Sequence, residues 1–241
     1  MRSLKSTTTG PLLSSLLLLA LAGCASSPYD EAKDPLEPVN RVVYSFNDKL
    51  DRILIKPLAK GYQKVVPAPA RKGIDNFFNN LLEPRTVVND LLQAKFSQGL
   101  HDTTRFAFNS TFGVAGLLDV STDWGLPRHQ EDFGQTLGHW GLGEGWYLVL
   151  PVLGPSTVRD TAGLYPDYLL DPVARWDEVR ERNALTVLRG IDTRAQLLTA
   201  TKVREKAALD PYLFTREAYR QRRWNLIYDG DVPPPEFDDD E

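Results

Sequence analysis

EDFGQTLGHWGLGEGWYLVLPVLGPSTVRD, residues 131–160, is the stretch on which the reading of the whole chain turns. It holds six glycines and two prolines, an apolar run at residues 146–153, and charge only near its ends apart from Glu144. Gly134, Gly138 and Gly141 stand at i, i+4 and i+7, so a helix through them has one smooth face. Another backbone or a lipid chain can approach such a face closely, as in the small-xxx-small pattern of membrane helices. Gly143 and Gly145 end that helix, since glycine costs roughly 1 kcal/mol per residue in a helix interior. The apolar run falls short of the roughly 20 residues that a spanning helix needs. It suits a segment lying in a membrane interface or lining an apolar groove, and equally a tightly packed core loop and strand in a soluble domain.

Outward from this stretch the signals are helical. Asp34-Pro35-Leu36-Glu37-Pro38 reads as extended. Asn40 is placed to cap a helix in which Val39, Val42, Val43, Phe46, Leu50, Ile53 and Leu54 keep helical period on one face. Pro57 starts a second, short helix that ends before Pro67-Ala68-Pro69. Ile74, Phe77, Phe78, Leu81 and Leu82 share the next face, which Pro84 closes; Val87, Val88, Leu91 and Leu92 form another helix. Residues 96–111 give a further one, with Leu100, Thr104, Ala107 and Phe108 in register. Residues 112–120 are a small, apolar connector, suited to a re-entrant turn near lipid or to a buried helix–helix junction. Beyond the central stretch, Pro155 fits the first turn of a short helix with Ser156, Thr157 and Asp160 in its N-terminal half. Tyr165-Pro166 and Asp171-Pro172 break the chain. Residues 183–208 read as the longest helix, with Leu185, Leu188, Ile191, Ala195 and Leu198 on one face, and Asp210 caps a last helix opened by Pro211. No β-alternating run of any length and no internal repeat occurs. The fold class expected is all-α, in a single domain over residues 34–228.

The ends carry different information. Arg2 and Lys5 precede an apolar stretch that finishes Leu21-Ala22-Gly23-Cys24, a secretory signal with a lipobox-like end, so residues 1–23 are expected to be cleaved. Cys24 is the only cysteine of the 241 residues, which excludes an internal disulfide; the lipobox resemblance gives it a use as the lipidated residue, the alternative being an ordinary signal peptide with an accidental cysteine. Ala25, rather than aspartate, resembles the residue that follows the cysteine in lipoproteins sent to an outer membrane. Several acyl chains on Cys24 give stable anchoring, at about 0.8 kcal/mol per buried CH₂. Residues 24–33 are then a lipidated tether. Residues 229–241 hold seven acids and no base. Without them and the signal segment the body carries a net charge of +1, so the acidity belongs to a solvated tail and the body is nearly neutral. That balance does not favour nucleic acid.

Catalytic chemistry is hard to assemble. His101, His129 and His139 stand in no metal-binding spacing, and no G-x-S-x-G elbow occurs. Ser156 reads as a helix-start serine. No catalytic residue, metal site or cofactor is expected. Arg41, Arg105, Arg128, Arg159 and Arg194 could meet phosphate through their guanidinium forks, or form structural ion pairs. Arg216, Arg220, Arg222 and Arg223, beside Trp224, suit an anionic lipid or acidic partner, or a solvated face. Trp124, Trp140, Trp146, Tyr147, Tyr165, Tyr168, Trp176 and Trp224 bracket apolar segments, as at a bilayer interface or in a core. Mean hydropathy is −0.32, so membrane contact must be confined to one surface.

The central stretch resembles the signature of the VacJ/MlaA family of outer-membrane phospholipid-transport lipoproteins. So do DPLEPVNRVVYSFND, TRFAFNSTFGVAGLLD and DPYLFTREAYRQRR, four spaced motifs between about residues 34 and 223. One departure is Gly145-Trp146-Tyr147, where the family usually reads Gly-Pro-Tyr. The resemblance implies a helical, ring-like domain with an amphipathic channel, seated in the inner leaflet of the outer membrane of a Gram-negative bacterium and facing the periplasm. It implies that mislocalised phospholipid leaves the outer leaflet through the channel and passes to a soluble periplasmic carrier in retrograde transport, with a trimeric porin as partner. On this reading the channel wall is expected at Phe133, Gly134, Leu137, Gly138, Gly141, Gly143 and Tyr147, helped by Asn47, Arg105 and Arg159. A structural lipoprotein that scaffolds porins without moving lipid is the alternative. A lipid-hydrolysing enzyme is a further one, but it lacks a recognisable nucleophile, base and oxyanion set.

Overall fold

The computed structural model describes residues 34–233. The segment expected to be a signal (residues 1–23), Cys24 with its expected tether, and residues 234–241 of the acidic stretch lie outside the described residues.

Helix α1, Glu37–Leu50, opens with Pro38 in its first turn. One π-helical turn, Asp51–Ile55, joins it without a loop to α2, Lys56–Val65. Asn40 does not cap α1. Its buried side chain donates to the Tyr147 carbonyl at 2.9 Å and accepts from the Val149 amide at 2.9 Å. Asn47, two turns on, donates to the Leu150 carbonyl at 2.9 Å and accepts from the Val152 amide at 2.8 Å. The two amides thus stand in for a neighbouring strand. The segment they hold is β1, Tyr147–Leu150, paired antiparallel with β2, Gly154–Thr157, from Tyr147↔Thr157 to Leu150↔Gly154. This small hairpin is the only sheet among the described residues and is the one addition to the all-α expectation.

Helix α3, Ala68–Leu92, runs straight through Pro84, where the sequence suggests a stop. A proline inside a helix costs about 3 kcal/mol. Here that cost is offset by polar bonds from the turn that precedes the proline. Asn80 donates to Ser110 Oγ at 2.9 Å, and Glu83 accepts from Arg105 at 3.0 Å, both on α4, Phe96–Thr111. Short α5, Val120–Asp123, and α6, Phe133–His139, follow. Pro155 sits in β2, not in a helix; Thr157 is the cap, accepting from the Asp160 amide at 3.1 Å to start α7, Val158–Leu170, which continues through Pro166. The expected longest helix is two: α8, Val179–Gln196, and α9, Leu198–Ala207. At Leu197 ψ is −2°, too flat to carry the i→i−4 ladder onward. The last helix, α10, Pro211–Ile227, begins as expected, with Asp210 accepting from the amides of Tyr212 and Leu213.

These elements close on themselves. Helix α1 lies on β1, β2 on α7, and α7 on α3 both directly and through α6. Helix α3 then meets α8, α8 meets α2, and the π turn returns the chain to α1. Helix α10 braces the ring from α6, α9 and β2. Gly163 of α7 meets Gly134 of α6 where the two helices cross: a Cβ on Gly163 would stand 2.6 Å from the Gly134 nitrogen.

Burial is reversed relative to a soluble domain. Among the described residues, 23 polar or charged side chains are buried against nine hydrophobic ones. Outside stand Val39, Val42, Phe46, Ile53 and Leu54, the apolar face of α1 and the π turn, with Val42 70% and Ile53 80% exposed. Exposed apolar surface in water forfeits about 25 cal/mol per Å², and buried polar groups cost free energy unless hydrogen-bonded. Both signs favour this arrangement only where the exterior meets an apolar phase. No described helix is long and apolar enough to cross a membrane.

Candidate functional site

A partly open cavity of about 570 Å³ lies on the inner side of α3 and α8. Its wall comes from α3, the segment 128–135, α8 and α10, with Asn79, Thr86, Gln135, Thr193 and Gln196 among its polar residues. Four acids, Asp75, Glu83, Glu131 and Asp132, face it together with four bases, Arg85, Arg128, Arg222 and Arg223. Arg223 locks one side: it donates to Asp132 Oδ1 at 2.9 Å and to Asp160 Oδ1 at 2.9 Å, and Tyr219 donates to Asp160 Oδ2 at 2.7 Å. Behind the wall, Asp90 and Asp102 are fully buried, and His129 Nδ1 lies 3.0 Å from Asp102. Glu131 accepts from Gln93 at 2.8 Å and from Lys95 at 3.3 Å.

This burial displaces several titrations. Burial, against the pull of Arg105, raises the Glu83 carboxyl to about 7, and burial raises Asp167 to about 6. Burial and the neighbouring Asp102 carboxylate also push Asp90 up. Each binds its proton more tightly folded than unfolded, so its contribution to stability is full below the unfolded value and is lost as pH rises through the folded one. His129, raised by its bond to Asp102, acts in the same direction. Asp132 is the opposite case: burial alone would raise it, but Arg223 brings it to about 2, so its contribution holds above the ordinary carboxylate value and disappears toward pH 2. The melting temperature in detergent is therefore expected to peak near about pH 5 and to fall toward about pH 8. A flat profile across that interval would mean that Glu83 and Asp167 are already ionised in the fold.

None of the residues expected to form the wall faces this cavity. Asn47 clamps the hairpin, and Tyr147 is buried with Val149 and Tyr212. Gly134 and Gly138 let other parts of the chain approach closely. A Cβ on Gly134 would meet Asp160 Oδ1 at 2.6 Å, and one on Gly138 would meet Ile227 Cδ1 at 2.7 Å. Gly141, at φ +85°, ends the turn after α6 with open space around it, so the three glycines do not form one helical face. Phe133 rests edge-on against Trp140, and its amide donates to Asp167 Oδ1 at 3.1 Å. Leu137 is half-buried and its carbonyl accepts from the Leu142 amide; Gly143 is half-buried in the loop leading to β1. Arg105 and Arg159 are buried in ion pairs, Arg105 with Glu83 and Asp119, Arg159 with Asp160.

The other arginines divide in the same way. Arg41 binds Glu37 and Asp210, and Arg194 binds Asp51 rather than the nearby Asp192. In the C-terminal group Arg220 holds Glu144, Arg216 holds Glu217, and Arg223 is internal, so no continuous cationic face results. Of the five arginines singled out for phosphate, Arg128 alone has no ion-pair partner among the described residues and faces the cavity. Arg85, Thr193 and the α3 polar ladder carry no sequence signal: their residue types are ordinary, and only ring closure brings them together.

The chain matches the family described as MlaA lipoprotein over residues 32–225. It is 41% identical over 223 residues to the Shigella flexneri "Intermembrane phospholipid transport system lipoprotein MlaA", covering 90% of this chain and 88% of that one. It is 40% identical over the same length to the Escherichia coli (strain K12) protein of that name, with the same coverage. A solved chain from work described as "Structural basis for maintenance of bacterial outer membrane lipid asymmetry" superposes with a TM-score of 0.72 at 38% identity, over 81% of this chain and 99% of that one.

Proposed function

The chain belongs to the MlaA lipoprotein family, and from that premise we propose that it is a membrane-associated lipoprotein of an intermembrane phospholipid transport system that maintains outer-membrane lipid asymmetry. One observation carries the physical side of this reading: a helical ring that pairs a polar, charged cavity with an apolar exterior. Lying in one leaflet, such a ring sets its outward Val, Leu, Ile, Phe and Trp side chains among acyl chains. Its cavity gives phospholipid headgroups a path on which polar contacts replace water. Cys24, acylated after removal of residues 1–23, anchors the ring to the outer membrane with its open side toward the periplasm. The cargo is mislocalised phospholipid of the outer leaflet, handed to a soluble periplasmic carrier, and a trimeric porin holds the ring in place. No covalent step on the lipid is needed. The hairpin clamp of Asn40 and Asn47, the Gly134–Gly163 crossing and the Arg105 and Arg159 pairs keep the ring open.

Mass spectrometry of the detergent-purified mature protein tests this. The expected result is phospholipid bound above the level in a control lipoprotein, together with a triacylated Cys24 peptide. A lipidated Cys24 without bound phospholipid would favour the scaffolding role, and an unmodified Cys24 would remove the anchor.

A further inference from the structure

Every buried arginine named above is consumed by a carboxylate, which gives the exceptions meaning. Four arginines line the cavity. Arg223 is bound by Asp132 and Asp160, and Arg222 donates to Gln130 Oε1 at 3.2 Å. Arg85 and Arg128 are half-buried, and among the described residues neither side chain donates a hydrogen bond to any carboxylate or carbonyl. Their Nε atoms are shielded from solvent without a partner, which leaves the terminal nitrogens to the cavity. Gln135 lines the same cavity and is almost fully buried; its amide nitrogen is engaged by the Gln130 carbonyl at 2.9 Å, so the orphan atom is its acceptor, Oε1.

An arginine withdrawn from water without a counter-ion is costly, and a guanidinium is shaped to take a phosphate through two parallel N–H donors. Resting on the transport reading above, we infer that Arg85 and Arg128 hold the phosphate of a phospholipid headgroup in the cavity, beside the buried Gln135. The carboxylates around them stand off. Glu83, Asp75 and Asp119 exert their fields on Arg128, and Asp167 lies in the field of Arg85, but among the described residues none forms an ion pair with either guanidinium. The phosphate chemistry is common to a lipid headgroup and to free phosphate, and the test separates them.

The full-length lipidated protein is titrated by calorimetry in a non-ionic detergent with three probes: dihexanoyl phosphatidylglycerol, dihexanoylglycerol, which lacks the phosphate, and inorganic phosphate. Loss of charge-assisted hydrogen bonds predicts that the Arg85→Gln/Arg128→Gln protein binds the phospholipid about ten- to hundredfold more weakly, with dihexanoylglycerol binding unchanged. The Arg85→Lys/Arg128→Lys protein recovers part of that loss, because charge returns without the fork. An unchanged melting temperature of the Gln protein shows that the effect is local. Equal phospholipid affinity of the wild-type and Gln proteins overturns the arginine site and leaves transport standing; absence of phospholipid binding to the wild type overturns both. Displacement of the phospholipid by inorganic phosphate at matched concentration assigns the site to free phosphate and overturns the headgroup assignment. Displacement only at far higher concentration supports it.

Discussion

Thr193→Trp is expected to stop phospholipid passage while the protein still folds and reaches the membrane. Thr193 lies on α8, faces the cavity, is solvent-exposed, and its hydroxyl makes no hydrogen bond among the described residues, so its loss breaks nothing. An indole at this position projects into a space of about 570 Å³ whose other walls are fixed by ion pairs and helix crossings. Overpacking that raises a barrier by about 1–3 kcal/mol slows passage about five- to 150-fold. The measurement is outer-leaflet phospholipid on intact cells that carry the variant as their only copy, with Thr193→Ser as the control. Normal protein level and melting temperature with rising outer-leaflet phospholipid is the expected pattern. If the tryptophan protein is as stable as the wild type and asymmetry is kept, the cavity is not the path.

The second large effect is on stability. Arg105→Ala is expected to destabilise the ring by about 3–5 kcal/mol, the usual consequence of removing one partner from a buried ion pair. Arg105 is 2% exposed, and its guanidinium donates to Glu83 at 3.0 Å, to Thr122 Oγ1 at 3.1 Å, to both Asp119 oxygens at 3.1 and 3.3 Å, and to the Leu126 carbonyl. Its loss leaves Glu83 buried without a cation and frees the segment between α4 and α6. Because Glu83 already titrates at about 7, it can neutralise itself, and the loss is expected at the lower end of that range below neutral pH and at the upper end above it. For a domain of this size that corresponds to a drop in melting temperature of roughly 6–20 °C, read by circular dichroism in detergent. Arg105→Lys should recover little, since a single ammonium cannot reach all four partners. A shift below 2 °C would mean that the cluster does not hold the ring closed.

Much of the architecture was legible without coordinates. Helix α4 falls on residues 96–111 as the periodicity predicts, Asp210 and Pro211 open α10, and Pro67 ends α2. The helical periods supplied the all-α class, and family resemblance the ring. Other features were misread for reasons that are physical. Pro84 looks like a stop because its local cost is real, but tertiary bonds from Asn80 and Glu83 to α4 outweigh it. The hairpin escaped notice because its strands are only four residues each, and one is Gly154-Pro155-Ser156-Thr157, with little strand propensity. Its pairing partner on the other edge is a helix that presents two asparagines.

By itself the sequence determined what depends on neighbours along the chain: helices from i→i−4 bonding and 3.6-residue period, caps from Asp210 and Pro211, the lipobox-like end at Cys24, and the family. The tertiary structure alone decided which way each face points and what each charge meets. Period reveals that α1 has an apolar face; only ring closure turns that face outward, with Ile53 80% exposed, and leaves the polar face inside. Arginine's chemistry is the same at every position. The partners that fix its role lie far off in the chain, 169 residues from Arg41 to Asp210 and 143 from Arg194 to Asp51, or, for Arg85 and Arg128, are absent among the described residues. Charge pairing and close approach are set by distances in space, which no local pattern of residues encodes.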